Sequence, residues 1–144
     1  MPEEEPQSST YSNINKISPE YQELIGEYCS AIKKHFDEAL VSICIFGSVA
    51  RGEATPQSDI DILVVAEGLP ECFIARVEET AYIHRRIKQT SAYHSLKTLG
   101  RSGSFSTIFF TKSEVKGHPP ILLDMLDDGI VLYDRDSFLK KTLD

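Results

Sequence analysis

The chain has 144 residues, of which 41% are hydrophobic and 26% charged, and its formal net charge at pH 7 is -7. This length fits one ordinary domain, which we place at residues 17–144 behind a flexible tail at residues 1–16. No apolar run approaches the roughly 20 residues that span a bilayer, and the acidic start is not a secretory signal, so we expect a cytoplasmic protein without membrane contact. The negative charge argues against nucleic acid as a partner, because phosphate backbones are bound by lysine and arginine.

The cysteines and the basic residues give weaker signals. Cys29, Cys44 and Cys72 lie in apolar segments without a Cys-x-x-Cys spacing, which predicts reduced core thiols and neither a disulfide framework nor a zinc site. Basic residues are concentrated between Arg85 and Lys116. Such a run is commonly a solvated surface. The alternative is a patch that binds a triphosphate or an acidic partner.

The first predicted element is a helix that starts at Ser18-Pro19-Glu20. A capping serine, a proline at the first helical position and an acidic residue together mark a helix start. Apolar residues then recur at three- and four-residue spacing, which predicts one buried face. They are Tyr21, Leu24, Ile25, Tyr28, Ile32 and Phe36. We expect this amphipathic helix to cover a sheet.

Four segments rich in β-branched and aromatic residues predict strands. They are Leu40–Phe46, Ile60–Val65, Phe105–Phe110 and Ile130–Tyr133. The second segment is apolar almost throughout, as expected for a central strand that is covered on both faces. The polar loop between the first two segments most simply returns the chain beside the first strand.

Helices are predicted in the remaining segments. A helical stretch runs to about residue 99, with Phe73, Ile74, Val77 and Ala81 sharing one face and a break near Thr90. Further helices are predicted after a capping box at residues 111–114, over residues 121–127, and after a cap at Asp136. This order of elements predicts an α+β (mixed α/β) domain with a mixed central sheet of about four strands flanked by helices.

Two carboxylates stand at the start of the second predicted strand. Because side chains alternate along a strand, Asp59 and Asp61 share one face, roughly 6 to 7 Å apart along the chain, and Ile60 and Ile62 point to the other face. Two neighbouring anions that lose hydration require a compensating cation, and carboxylate oxygens suit Mg²⁺ or Mn²⁺. Such a pair can hold two ions about 4 Å apart that clamp a phosphoryl group during its transfer.

Gly47 and Ser48 directly follow the first predicted strand. Glycine permits a sharp turn, and a helical turn at Ser48 would offer free backbone N–H groups to a phosphate. Gly47 and Gly52 have the glycine spacing of a P-loop, but Glu53 and Ala54 stand at its lysine and hydroxyl positions, which excludes that motif. An EF-hand is also excluded, because the residues after the carboxylate pair are apolar where that loop has oxygen ligands.

The segment Gly-Ser-Val-Ala-Arg-Gly at residues 47–52, followed by Ser-Asp-Ile-Asp-Ile-Leu-Val at residues 58–64, resembles the signature of the polymerase-β-type nucleotidyltransferase superfamily, in its minimal nucleotidyltransferase branch. The resemblance implies transfer of a nucleoside monophosphate from a nucleoside triphosphate such as ATP to a hydroxyl of a protein or small-molecule acceptor, with two divalent metals. It also implies that Asp59 and Asp61 are the catalytic metal ligands and that Gly47 and Ser48 hold the triphosphate. Arg51 either helps to neutralise the triphosphate or is an ordinary surface arginine.

The same resemblance suggests a partner. Minimal nucleotidyltransferases often resemble the antitoxin half of a pair with a HEPN-type helical protein, which the transferase nucleotidylates, so we expect such a partner by analogy. An oligomer is compatible with the sequence. An aminoglycoside-type resistance transferase also fits the motif, but such enzymes usually carry an extra domain.

One departure from the family pattern concerns the metal site. Active members usually carry a third carboxylate on a later strand, and the matching segment here, residues 104–110, contains no acidic residue. Ser106 or Thr107 would be a poor substitute, because a hydroxyl is a weaker base and metal ligand than a carboxylate. Glu114 and Asp124 are the other candidates. The alternative hypothesis is therefore a catalytically silent module that binds a nucleotide or a partner.

Overall fold

The computed structural model describes residues 11–143, except for the side chains of Asp124 and Leu126. Its four-stranded sheet has the order β3-β2-β1-β4. The strands are β1 (Leu40–Phe46), β2 (Ile60–Ala66), β3 (Phe105–Phe110) and β4 (Ile130–Asp134). Strand β1 pairs antiparallel with β2 and β4, whereas β3 pairs parallel with β2. The predicted α+β fold with a mixed four-stranded sheet is confirmed.

Helices cover both faces of this sheet. They are α1 (Pro19–Phe36), α2 (Gly47–Arg51), α3 (Phe73–Glu79), α4 (Ala81–Ile87), α5 (Ser91–Thr98), α6 (Lys112–Lys116), α7 (Leu122–Asp128) and α8 (Phe138–Leu143). Helices α1, α4 and α5 pack on one face of the sheet, and α6, α7 and α8 pack on the other. Strand β1 is buried throughout because it is covered on both sides. Within residues 11–143, no helix is long and apolar enough to cross a bilayer.

Residues 11–16 pack against the core, although the sequence assigned them to a tail. Tyr11 and Ile14 are buried. The Ser12 N–H donates to the carbonyl of Leu132 at 3.0 Å, and the Asn13 side-chain amide donates to the carbonyl of Val131 at 3.0 Å. These bonds cover part of the outer edge of β4. The tail prediction for residues 1–10 falls outside the described residues, and the domain boundary stays a prediction.

The last helix is capped by a different residue from the one predicted. The carboxylate of Asp134 accepts hydrogen bonds from the backbone N–H groups of Leu139 and Lys140 at 2.8 and 2.9 Å. Asp136 lies in the intervening turn with φ +57°. The prediction that Asp136 caps this helix was wrong. The capping carboxylate belongs to Asp134, two residues earlier, because the turn of residues 135–137 lies between the cap and the helix.

The basic run between residues 85 and 116 does not form one surface. Its members on α4 and α5 belong to one side of the sheet, whereas Lys112 and Lys116 on α6 belong to the other. Lys112 lies 3.6 Å from the carboxylate of Glu67. The solvated-surface interpretation of the run therefore agrees with the structure better than a single binding patch does.

Two of the three cysteines match the prediction of core thiols. Cys29 and Cys44 are buried, whereas Cys72 is exposed, and all three are free thiols. Burial raises the pKa of the Cys44 thiol to about 12. Cys72 was placed wrongly because it immediately precedes α3, a helix whose apolar residues do not face the core.

Helix α3 turns outward the face that Phe73, Ile74 and Val77 share. The exposed fractions of Phe73, Ile74 and Val77 are 56%, 68% and 50%, whereas Arg76 of the same helix is only 3% exposed. Hydrophobic spacing indicates that a helix has two faces, but it does not reveal a buried arginine whose partners are distant in sequence. The apolar face that the sequence indicates on this helix is therefore exposed, and its buried side carries Arg76.

Arg76 fixes this orientation through bonds to three separate segments. Its Nη1 and Nη2 donate to the two carboxylate oxygens of Glu114 at 2.8 and 3.0 Å. Its Nε donates to the carbonyl of Pro70 at 2.6 Å, and Nη1 also donates to the carbonyl of Phe109 at 2.8 Å. Glu114 completes the predicted capping box with Thr111 at the start of α6. One buried guanidinium thus joins α3, β3 and α6.

Arg76→Ala should lower the free energy of unfolding by about 3 kcal/mol, because it leaves a partly buried carboxylate and a strand carbonyl without their donor. Chemical denaturation at neutral pH measures this change. Arg85→Ala on the neighbouring α4 is the control and should stay within about 0.5 kcal/mol of the parent protein. Equal stability of the two variants would contradict a structural role for Arg76.

The cost of Arg76→Ala should also depend on pH. The hydrogen bonds from Arg76 hold the pKa of Glu114 below its ordinary value. The pair therefore contributes stability above the ordinary glutamate pKa, and this contribution is lost as the pH falls through the lowered pKa. The stability difference between the two proteins should shrink in acid to the part that the bonds to the Pro70 and Phe109 carbonyls contribute, and a difference that does not change with pH would contradict this linkage.

Candidate active site

The end of β1 and the start of β2 meet at one point of the sheet. Phe46, the last residue of β1, is the register partner of Asp61. Gly47 follows with φ +77°, and a Cβ added to it would overlap the Oδ2 atom of Asp61. Glycine is therefore required here for both its backbone conformation and the close approach of the carboxylate. The predicted phosphate turn and the predicted metal ligand are in direct contact.

The two predicted carboxylates lie side by side at the start of β2. Asp59 immediately precedes the strand and is exposed, whereas Asp61 is half-buried. Ile60 and Ile62 are fully buried on the opposite face, which matches the predicted alternation. Burial raises the pKa of Asp61, the charge of Asp59 raises it further, and the charge of Arg51 opposes the shift. The arrangement concentrates negative charge where a cation would be stabilised.

Arg51 lies at the end of α2 among carboxylates. Its Nε donates to Oε1 of Glu53 at 3.0 Å, and its Nη1 lies 3.8 Å from Oδ2 of Asp128. The same cation opposes the raised pKa of Asp61. The structure therefore places Arg51 next to the carboxylate pair, as its predicted role requires. Asp128 is the last residue of α7, and the packing of α7 beside α2 brings it to Arg51.

Ser48 is the second residue of α2, the short helix that follows Gly47. No described side chain caps the first turn of this helix. The leading N–H groups of a helix have no partner within the helix, so a phosphate could accept hydrogen bonds from them. This geometry agrees with the predicted role of the Gly47-Ser48 turn in holding a triphosphate.

Ser106 stands beside Asp61, at the position where a third carboxylate was expected. It is the register partner of Asp61 across the parallel pair β2 and β3, so the two side chains share a face on strands about 4.8 Å apart. Thr107 faces the other side of the sheet, where its hydroxyl forms a 2.6 Å hydrogen bond with the hydroxyl of Tyr28. Of the two hydroxyl candidates, only Ser106 faces the site.

The substitute carboxylates considered from the sequence do not complete the site. Glu114 lies beyond the far end of β3, whereas Ser106 lies near its start, and the carboxylate of Glu114 is held by Arg76. The side chain of Asp124 is outside the described part of the structure. Within that part, no cluster of three or more His, Cys, Asp or Glu side chains could hold a metal ion.

The residues present still suit Mg²⁺ together with a nucleotide. Magnesium is usually bound by one or two carboxylates, and substrate phosphates and water supply its other ligands. Asp59 and Asp61 would provide the carboxylates, and the Gly47-Ser48 turn beside them would provide N–H groups for the phosphates. A third protein carboxylate is not needed for this kind of coordination, although it would strengthen it.

The predicted turn at residues 100–104 supports the loop that carries Asp59 through two hydrogen bonds that the sequence pattern does not indicate. The Nη1 of Arg101 donates to the carbonyl of Ala54 at 3.1 Å, and the Ser102 N–H donates to the carbonyl of Pro56 at 2.9 Å. Both bonds reach the segment between α2 and β2. They restrict this segment and so help to fix the first of the two carboxylates.

Gly47→Ala should weaken binding of Mg²⁺ with ATP by at least about tenfold, because the added methyl group displaces Asp61 from the turn. Isothermal titration calorimetry measures the affinity. Gly68→Ala is a matched control, because Gly68 has φ +75° and nothing lies within 4 Å of an added Cβ. Both variants should lose about 1 kcal/mol of stability from the left-handed backbone, but only Gly47→Ala should lose affinity. An equal effect on affinity would contradict the close-contact argument.

Comparisons with known proteins agree with this geometry. The profile of a family described as nucleotidyltransferase domain matches residues 27–98, which include α2 and both carboxylates. A Methanocaldococcus jannaschii protein named as a candidate protein adenylyltransferase is 32% identical over 124 residues, covering 84% of this chain and 77% of the relative. A second protein from that organism, similarly named, is 41% identical over 46 residues, covering 32% of this chain and 46% of the relative.

Solved structures show a similar fold. A chain from a toxin–antitoxin complex with AMP-PNP matches with a TM-score of 0.49 and 19% identity, covering 91% of this chain and 84% of that one. A chain from a complex of tri-AMPylated Shewanella oneidensis HEPN toxin with MNT antitoxin matches with a TM-score of 0.44 and 18% identity, covering 83% of each. Both TM-scores lie below 0.5 and both identities below 20%, so nothing about this chain is concluded from these two matches.

Proposed function

Because the chain belongs to the nucleotidyltransferase family, we propose that it transfers AMP from ATP to a hydroxyl of a protein acceptor in a metal-dependent reaction. The packing of Asp61 against Gly47 is the main support, since it joins a metal-binding carboxylate to a phosphate turn. The adenylyltransferase name of the relative supports AMP as the transferred group and a protein as the acceptor. A small-molecule acceptor is the second choice.

Each site residue has a distinct task in this proposal. Asp59 and Asp61 would hold Mg²⁺ or Mn²⁺, and a metal held there would supply Lewis-acid stabilisation of the charge on the triphosphate. The backbone of Gly47 and Ser48 orients the phosphates, and Arg51 offsets their charge. The acceptor oxygen forms a bond to the α-phosphorus, the bond to the α–β bridging oxygen breaks, and pyrophosphate leaves.

Residue 106 is a serine, so no carboxylate at this position can receive the proton of the acceptor hydroxyl. We therefore propose that it passes to water, which makes the reaction slow compared with enzymes that carry a base at this position. A positioned base contributes roughly 10² to 10⁴-fold to a reaction rate. A preorganised acceptor would offset part of this loss, because holding the hydroxyl in place reduces the entropy cost of the reaction.

A HEPN-type helical protein is the acceptor to test first. The motif at residues 47–64 supports this choice, since it resembles that of minimal nucleotidyltransferases that modify such proteins. The pairing remains a proposal for this chain.

Asp59→Asn and Asp61→Asn should each abolish labelling of the acceptor by radiolabelled ATP in Mg²⁺, because the substitutions remove charge from the metal ligands and keep their size. Glu53→Gln is the control, since Glu53 pairs with Arg51 and should be dispensable for metal binding. Unchanged labelling with both asparagine variants would exclude the proposed metal site. Tight Mg²⁺-dependent ATP binding without transfer to any acceptor would favour the silent module instead, which the missing third carboxylate supports.

Ser106→Asp should increase both Mg²⁺ affinity and transfer rate, because it places a third carboxylate beside Asp61. We expect a rate gain of at least about tenfold, because a newly introduced carboxylate should recover part of the roughly 10² to 10⁴-fold that a positioned base contributes. Initial rates at several Mg²⁺ concentrations measure both effects. Ser106→Asn is the matched control and should give no gain, so equal rates for the aspartate and asparagine variants would contradict the placement of residue 106.

A further inference from the structure

The outer face of α3, formed by Phe73, Ile74 and Val77, is a contiguous apolar surface. The exposed fractions of the three side chains are 56%, 68% and 50%. The other large hydrophobic residues that are strongly exposed in the described structure, Leu99 and Leu123, lie on separate elements. Scattered apolar residues are normal on protein surfaces, whereas a contiguous patch indicates a binding surface.

The orientation of α3 is fixed rather than incidental. Rotating the helix to bury its apolar face would withdraw Arg76 from the carboxylate of Glu114 and from the carbonyl of Phe109. The guanidinium of Arg76 also lies 4.5 Å from the ring centroid of Phe73, and this ring contacts Phe110 edge to face at 6.5 Å. The outer face is therefore rigid before any partner binds, which reduces the entropy cost of binding.

A cavity of about 180 Å³ lies between α3 and β3, next to the outer face. Phe73 and Val77 line one side, and Ile108 and Phe110 line the other. A mostly apolar pocket beside an exposed apolar helix suits an inserted aliphatic side chain, as in grooves that bind amphipathic helices.

The charges around the outer face are negative. Glu71 and Glu78 are exposed, and neither forms an ion pair with another described residue. Arg76 points inward, and Glu79 bonds to Nε2 of His35 at 2.8 Å. In an antiparallel pairing of two copies, Glu71 of one chain would approach Glu78 of the other. Like charges oppose that pairing, and the net charge of -7 opposes it further.

We propose that the outer face of α3 binds an amphipathic helix of another protein, with an apolar stripe bordered by lysine or arginine. The three side chains expose roughly 300 Å², less than the ~800 Å² per partner of a standard interface, so a single helix fits better than a whole domain. The outer face of α3 lies beside Phe110, about 13 Å along β3 from Ser106, although the lining of the pocket extends back to Thr107. Binding would leave the active site open, and this proposal does not depend on catalysis.

Two synthetic peptides of about 18 residues test the proposal, since peptides of this length can form a helix. They share a leucine stripe and differ only in whether lysine or glutamate borders it. Fluorescence anisotropy with the full chain measures both affinities. The lysine peptide should bind more tightly, and Glu71→Lys with Glu78→Lys should reverse the preference. Equal affinities, or no binding of the lysine peptide at millimolar concentration, would overturn the proposal.

Apolar variants locate the binding site. Ile74→Ser with Val77→Ser should weaken binding of the lysine peptide by about tenfold or more. Leu99→Ser with Leu123→Ser removes two equally exposed apolar residues elsewhere and should have no effect. All four positions are at least half exposed, so both variants should fold, which circular dichroism verifies. Equal losses in the two variants would assign the binding to nonspecific hydrophobic contact and overturn the proposal.

Sedimentation equilibrium tests whether a second copy of the chain binds the outer face of α3 instead. The wild-type chain should show no dimer that depends on the outer face of α3. A dimer that Ile74→Ser with Val77→Ser dissociates would assign this surface to a second copy of the chain and overturn the proposal of a different partner.

Discussion

The contact between Gly47 and Asp61 determines the geometry of the site. Antiparallel pairing brings the end of β1 to the start of β2, but pairing alone does not bring a carboxylate against the first residue of α2. The absence of a Cβ at residue 47 allows that approach. Burial of both strands between two helical layers then resists any separation of the turn from the carboxylate. The Gly47-Ser48 turn and the carboxylate of Asp61 are therefore held together by the core.

The parts of the structure that the sequence predicted are those with local causes. The alternation around Asp61, the glycine turn and the capping box at residues 111–114 depend on residues a few positions apart, so their patterns are visible in the sequence. Arg76 and Arg101 were missed because their partners lie 38 and 47 positions away. An arginine whose hydrogen bonds are satisfied by distant segments cannot be distinguished by periodicity from one that is exposed. The outward face of α3 was missed for the same reason.

The register between β2 and β3 explains the chemical character of the site. Parallel pairing places Ser106 beside Asp61, so the site has two carboxylates and a hydroxyl on one face. Fewer anions mean less repulsion within the free protein, but also weaker attraction for a bare metal ion. A metal that arrives with a triphosphate brings its own oxygen ligands, so two carboxylates suit a metal–nucleotide complex better than a free ion. Arg51 also weakens the attraction of the site for a free metal ion, because its positive charge partly neutralises the two carboxylates.

Strand β3 connects the site to the outer face of α3. As an edge strand, it presents backbone groups that need partners, and Arg76 supplies one for the carbonyl of Phe109. This bond requires the polar side of α3 to face the sheet edge, so Phe73, Ile74 and Val77 must face outward. One orientation of α3 therefore has two results: Arg76 donates a hydrogen bond to the edge strand, and the apolar side chains are exposed. A partner helix on that surface would shield the apolar side chains from water without disturbing the bonds of Arg76.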